Sequence, residues 1–531
     1  MRIVRIGQGS TQTPSADVIG AKAANLARMA NLGLPVPPAF VLPVALCAAI
    51  VRGEPGARRK LEDGLAEGIA FLEAATGHRF GDRRQPLLVS VRSGAARSMP
   101  GMLDTVLNVG CSREAVTGLI RMTGHPRFAW DCRRRFLESY GSVVLGLAAE
   151  DLSRARHDIL TAEGVSDETD LDGEALERLA DAYATVIAGE DHLLPDAPMD
   201  QVRAAAQAVY RSWTSPRARA YRQIEHLEAL EGTAVTVQAM VFGNRGFTSG
   251  AGVAFSRDPS TGASEPVIDV LLAAQGEEVV SGSRTPETES ALVRAAPVAA
   301  AQLREVLVRL ETAFGDVQDV EFTVEDAKLW ILQTRAAKRT PRAALRFAVA
   351  LVQERLIEPA EALRRLEGVD LDALVTQRLA DAGAIAATGT GASTGVAVGR
   401  AAFDAASAER LAASGEPVIL LRPDTSTSDV VGFSVAAGII TAVGGRTAHA
   451  ALVARQMGKP CIVGCAALTV DALHHSAELA GHALKEGDWL SMDGDAGTVQ
   501  LGRAQVVSEK PEADLAQVAM WRSHSREAAC A

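Results

Sequence analysis

The chain has 531 residues, too many for one hydrophobic core and enough for three or four domains. Its formal net charge of −11 argues against a nucleic-acid partner, though it leaves room for a local basic site that takes phosphate. Hydrophobic residues at 47% and charged residues at 22% exclude a disordered or fibrous chain. The longest apolar stretch, AFVLPVALCAAIV (39–51), is shorter than a membrane span and is broken by Pro43. Residues 1–15 lack the apolar core of a signal peptide, so a cytoplasmic protein with no membrane association is expected. The six cysteines form no CxxC pair, and Cys461 and Cys465 read as buried reduced thiols rather than metal ligands.

In chain order, GAKAANLARMANLGLPVPPAF (20–40) reads as a helix stopped by Gly33 and followed by a proline-rich extended segment. Lys22, near the start of that helix, is a candidate phosphate clamp. It does not have P-loop spacing, and taken alone such a residue is more often a solvated lysine than a ligand. PLLVSVRSGAARSMPGMLDTVLNVG (86–110) begins as a buried strand and passes into a Gly/Ser/Met loop. Arg92 near the strand's end suits bidentate phosphate contacts or, more plainly, a structural ion pair. From 111 to about 198 the pattern is helical. Strand signals return in TAVTVQAMVFG (233–243) and SGAGVAFSRD (249–258).

DVQDVEFTVEDAKLWILQTR (316–335) predicts a hairpin. Asp319, Glu321 and Thr323 fall on one face, and Val320, Phe322 and Val324 on the other. Adjacent carboxylates repel unless a cation neutralises them, as Mg²⁺ on a nucleotide would. A turn of three or five residues would put Gln333, and Arg335 two residues on, on the same face as Glu321. A solvent-exposed acidic face accounts for the pattern as well. Residues 341–385 read as amphipathic connector helices, and 386–504 as a second α/β pattern. Residues 505–531 read as a polar tail that lies loosely or forms a lone helix.

Within the second α/β pattern, GGRTAHAALVARQMGKP (444–460) follows a short buried strand, AAGIITAV (436–443). It predicts a helix with Thr447 as N-cap, Ala450, Val453, Ala454 and Met457 on one face, and Gly458 as the stop. His449 then sits in the first turn, where free N–H groups and the helix dipole favour an anion. By position alone, an ordinary hydrogen-bonding histidine is the stronger reading.

Seven segments together resemble the pyruvate phosphate dikinase family, in its order and with its approximate spacing, over about residues 18–502. They are GAKAANLARMANLGLPVPPAF, LLVSVRSGAARSMPGMLDTVLNVG, TAVTVQAMVFGN, GVAFSRDPSTG, AAQGEEVVSGSRTP, VQDVEFTVEDAKLWILQTRAAKRT and GGRTAHAALVARQMGKPCIVG. The resemblance implies an α/β and α+β multidomain chain. It would comprise an ATP-grasp nucleotide-binding domain over 1–340 with a helical insertion over about 111–198, then a helical connector over 341–385. A swivelling α/β phosphohistidine domain over 386–504 and a tail over 505–531 would follow. It further implies that Lys22, Arg92, Gln238, Glu277, Gln333 and Arg335 bind nucleotide, with Arg92 and Arg335 also catalytic. Asp319 and Glu321 would hold Mg²⁺, His449 would carry the phosphoryl group, and Thr447 would be modified by a regulatory kinase. The ligands implied are ATP or AMP and phosphate or pyrophosphate.

The sequence departs from the family pattern at Arg446 and Ala448 in the histidine loop and at Asp269, which stands where the family has glutamate. The family's phosphoenolpyruvate- and pyruvate-binding barrel has no counterpart in these 531 residues. The expectation is therefore the nucleotide half-reaction, with the acceptor site on a separate barrel polypeptide. The alternatives are a small-molecule kinase of the dikinase superfamily and a non-catalytic nucleotide-binding regulator of a full-length dikinase.

Overall fold

The computed structural model describes residues 3–7, 14–97, 99, 105–189, 193–224, 226–281, 284–380, 384–424, 430–446, 448–471 and 475–530. They divide into two compact units, Met1–Val241 with Trp330–Gln333, and Phe242–Leu329 with Thr334–Ala531. The division falls inside the 1–340 span expected as one domain.

The first unit is built on an antiparallel sheet of β1 (Val4–Ile6), β2 (Ala39–Leu42), β3 (Val89–Gly94), β4 (Thr105–Val109) and β5 (Ala234–Ala239), in the order β1-β2-β5-β3-β4. α1 (Ala21–Asn31) buries Ala23, Leu26, Ala27 and Ala30, the stripe its spacing predicts. α2 (Ala57–Thr76) buries Leu61, Leu65, Ile69 and Leu72 in the same way. Helices follow over Arg113–Thr123, Pro126–Tyr140, Ala149–Glu163, Gly173–Gly189, Pro198–Ser212 and Pro216–Ile224, so the helical run continues past the 198 boundary to 224. The charged helix Pro126–Tyr140 is buried because its charges pair locally, Asp131 with Arg134 and Arg135 at 2.8 Å each.

The second unit opens with a sheet of β6 (Gly250–Phe255), β7 (Val267–Leu272), β8 (Glu287–Thr288), β9 (Gln318–Glu325) and β10 (Lys328–Ala336), ordered β8-β7-β6-β9-β10. The β9–β10 turn is two residues, Asp326 and Ala327, both at positive φ. It is not the three- or five-residue turn that the shared face required. The connector holds α3 (Pro341–Gln353) and α4 (Pro359–Arg365), and the tail does not lie loose beside them. Val506–Glu509 pairs with Thr376–Leu379, and α5 (Glu512–Cys530) seats Val518 and Trp521 in a core with Leu345, Ala348, Val349 and Leu366. The tail looks polar in sequence because its inner face is narrow, carrying Leu515, Val518 and Trp521 among the described residues.

The remaining residues form a mixed eight-stranded sheet whose central strands Val396–Ala402, Val418–Arg422, Gly438–Thr441 and Cys461–Val463 run parallel. Cys461 and Cys465 are buried free thiols, and burial pushes the Cys461 thiol up to about 12. Among the described residues no helix is long and apolar enough to cross a membrane.

Candidate functional site

In the first unit, β3 and β5 present a polar face. Ser90 lies opposite Gln238 and Arg92 opposite Thr236, so all four side chains share one side of the sheet. Ser90, Thr236 and Gln238 are buried and Arg92 is half-buried. Gln238 Nε2 donates to Pro37 O at 3.2 Å, while Arg92 Nε and Thr236 Oγ1 have no partner. Lys22 is brought to the end of the same strand by Gly20. A Cβ on Gly20 would lie 2.1 Å from Gly94 O, and Gly20 has φ +79°, so only glycine allows α1 to start there. Ala21 N–H donates to Ala95 O at 2.9 Å across that contact. Lys22 itself is exposed. The structure therefore brings Lys22 to the Gly94 end of β3 and sets Arg92 and Gln238 on one face of the same sheet. Buried Gln333 falls in the Trp330–Gln333 segment that belongs to this unit.

In the second unit, Asp319, Glu321 and Thr323 alternate along β9 opposite Phe255, Val253 and Ala251 of β6. Asp319 is only 3% exposed, so the acidic face is not the solvated surface that charge alone suggests. Arg335 Nε donates to Asp319 Oδ2 at 2.7 Å, and Thr334 Oγ1 donates to Gln318 Oε1 at 2.8 Å. A two-residue turn with uniform pairing would set Asp319 opposite Thr334 instead. The Arg335–Asp319 bond nevertheless puts the two side chains on one face. Burial raises the Asp319 pKa; Arg335 pulls it back down in part, and Glu321 adds to the rise. For Arg335, burial works against the cation, but the Asp319 carboxylate outweighs it and the pKa lies above the ordinary value. Asp319 Oδ1 and Thr323 Oγ1 are buried without a partner. Glu277 is exposed on a short helix (Gly276–Ser281), apart in sequence from this face, and Asp269 is buried on β7.

Among the described residues no three His, Cys, Asp or Glu side chains are grouped to hold a metal. Mg²⁺ commonly binds through one or two carboxylates and completes its shell with water and phosphate oxygens. The free Asp319 Oδ1 and the neighbouring Glu321 fit that donor set.

His449 is the first residue of α6 (His449–Met457), which ends at Gly458 with φ +64°. The N-cap is Ala448, not Thr447, and no side chain caps the helix. Ala448 N–H donates to Gly445 O at 3.0 Å, a tight turn that delays the helix start by one residue. Thr447 and the side chain of His449 lie outside the described residues. The helix buries Ala450, Ala451, Ala454 and Arg455, whereas Met457 is exposed, contrary to its predicted place on the inner face. Gly444 N–H donates to Thr285 Oγ1 at 3.3 Å, and a Cβ on Gly445 would lie 2.3 Å from Pro286 Cγ. Arg446 Nε donates to Gly391 O at 3.0 Å, which gives the departure at this position a structural role. Sequence reasoning missed Thr236 and Arg455. The alternation T-V-Q in TAVTVQAMV places Thr236 beside Gln238, and Arg455 follows Ala451 by four residues on the buried face of α6.

Residues 57–296 and 289–355 match the family model described as the pyruvate phosphate dikinase AMP/ATP-binding domain, and residues 414–497 match the mobile domain of PEP-utilising enzymes. The chain thus joins a nucleotide-binding domain to a mobile domain of the PEP-utilising type. It is 40% identical over 518 residues to pyruvate, phosphate dikinase of Clostridium symbiosum, covering 96% of this chain and 59% of the relative. It is 41% identical over 531 residues to chloroplastic pyruvate, phosphate dikinase 1 of Arabidopsis thaliana, covering 98% and 55%. With pyruvate, phosphate dikinase 2 of Zea mays the identity is 40% over 531 residues, covering 98% and 60%. The chain belongs to the pyruvate phosphate dikinase family, and it spans little more than half the length of these relatives.

Proposed function

We propose that this chain is an ATP-dependent phosphotransferase of the dikinase type, with an ATP-grasp nucleotide site, that phosphorylates its own His449. The observation that carries the reading is Asp319, a buried carboxylate with one oxygen on Arg335, the other without a partner, and Glu321 beside it. Lys22, Arg92 and Arg335 would neutralise phosphate charge, with Gln238, Glu277 and Gln333 holding the nucleotide. Asp319 and Glu321 would hold Mg²⁺, which supplies charge neutralisation at the phosphates. By analogy with the family, the His449 imidazole displaces AMP from the β-phosphorus of ATP. Inorganic phosphate then takes the γ-phosphoryl group as pyrophosphate, leaving one phosphoryl group on His449. The acceptor step would use a phosphoenolpyruvate- and pyruvate-binding site outside these residues. Thr447, two residues before His449, is the position where a regulatory kinase would add opposing charge.

Incubation with ATP, Mg²⁺ and phosphate should give an acid-labile phosphoryl adduct by intact mass, lost in His449→Ala. The wild type should also exchange labelled AMP into ATP when pyrophosphate and phosphate are present. Absence of both signals in folded wild-type protein would sink the reading.

A further inference from the structure

Arg455 heads the large side chains that are fully buried among the described residues, at 0% exposure. It lies on α6 six residues beyond His449, about 9 Å further along the helix axis. Its Nη1 donates to Ala392 O at 2.8 Å and its Nη2 donates to Arg446 O, while Nε has no partner. Its guanidinium carbon stands 5.6 Å from the centre of the Phe255 ring. No carboxylate forms an ion pair with it among the described residues, and beyond these bonds its charge is felt by Cys461 and, at longer range, by Asp319, Asp269 and Asp258.

Taking a guanidinium out of water is costly unless fixed partners replace the solvent. Here the replacements are two backbone carbonyls. One is on the strand Thr390–Ser393, and the other is in the loop that leads directly into His449. Arg446 adds a second tie from that loop to the same strand, through its Nε and Gly391 O. The planar fork of arginine spans two acceptors at once, which a lysine ammonium on a single flexible stem does not reproduce. The turn closed by Ala448 N–H and Gly445 O is thereby held from below, on the segment that sets where His449 begins its helix.

We infer that Arg455 is a positioning residue for the phosphoryl carrier: its guanidinium clamps Ala392 O and Arg446 O and so fixes the backbone from which His449 projects. The inference rests on the reading of His449 as the carrier. Arg455→Lys keeps a positive charge and loses the two-carbonyl clamp. In single-turnover labelling with ATP, Mg²⁺ and phosphate, it should lower the maximal rate ~10- to 100-fold, the range a small misplacement brings. The ATP concentration for half-maximal rate should not change, since Arg455 holds no nucleotide. Guanidinium ion added to Arg455→Ala should restore part of the rate. In hydrogen exchange, the peptide over 444–452 should exchange faster in Arg455→Lys, while peptides of β9 keep wild-type protection. If Arg455 variants do not fold, Arg446→Met removes the neighbouring tie and should show the same split to a lesser degree. Folded variants with wild-type labelling and wild-type exchange over 444–452 would overturn the inference. If the wild type itself fails to label, the carrier reading falls, and the exchange measurement still decides whether the clamp exists.

Discussion

Asp319 shows how one residue can be stable in place and still incomplete. Oδ2 is satisfied by Arg335, yet Oδ1 is buried with no donor, a condition that costs about 1–3 kcal/mol when nothing completes it. Asp319→Asn keeps an acceptor for Arg335 and removes the buried charge. Urea unfolding at pH 8 should therefore show stability no more than about 1 kcal/mol below wild type. Labelling by ATP and Mg²⁺ should fall ~100-fold or more. The pH dependence has a definite sign. The folded-state pKa of Asp319 is raised, chiefly by burial, so the charged form costs stability above that pKa and the cost is relieved as pH falls through it. The stability of Asp319→Asn relative to wild type should thus be greatest near neutral pH and shrink as the pH is lowered into the carboxylate range. Wild-type labelling by Asp319→Asn would rule out this carboxylate as the metal ligand.

At the scale of elements, the histidine loop and α6 are set by what lies beneath them more than by local propensity. Gly445 has no room for a Cβ beside Pro286, so Gly445→Ala must shift the loop away from the 285–286 segment. We expect a loss of about 1–3 kcal/mol, typical of overpacking, with a slower labelling rate. Denaturant curves and single-turnover labelling check the two effects separately. The C-terminal helix α5 makes the complementary case. Trp521, 6% exposed, and Val518, 1% exposed, fill the core formed with α3 and α4, so Trp521→Ala should cost about 3–5 kcal/mol in unfolding experiments. An unchanged denaturation midpoint would mean that the tail does not pack as described.

For the whole molecule, the consequence is linkage between ligand and stability. A nucleotide that binds only the folded chain stabilises it by about 2.7 kcal/mol at a hundredfold excess over its Kd. Titrating ATP in Mg²⁺ should raise the thermal midpoint, chelation of the metal should reduce the rise, and Arg92→Ala and Asp319→Asn should each diminish it. Loss of the shift in both variants would tie both residues to nucleotide binding. A shift retained in both would leave the nucleotide elsewhere.

The amino-acid sequence was sufficient for those features that depend on local spacing. They include the hairpin with its alternating carboxylates, the helix that follows the 436–443 strand with its stop at Gly458, the buried cysteines, and the ordered motifs shared with the dikinase family. Each follows from a period of 2 or 3.6 residues or from a turn residue, and such signals survive in one dimension. Features that depend on partners distant in sequence were decided only by the tertiary structure. Asp319 is buried because β6 and Arg335 cover it, although its acidic neighbours suggest exposure. The helix start moved past Thr447 because the Gly445–Ala448 turn delays it. The polar-looking tail is anchored because connector helices more than 150 residues earlier offer Val518 and Trp521 a core. Arg455 has lost its water, and the fold leaves it two carbonyls to hold.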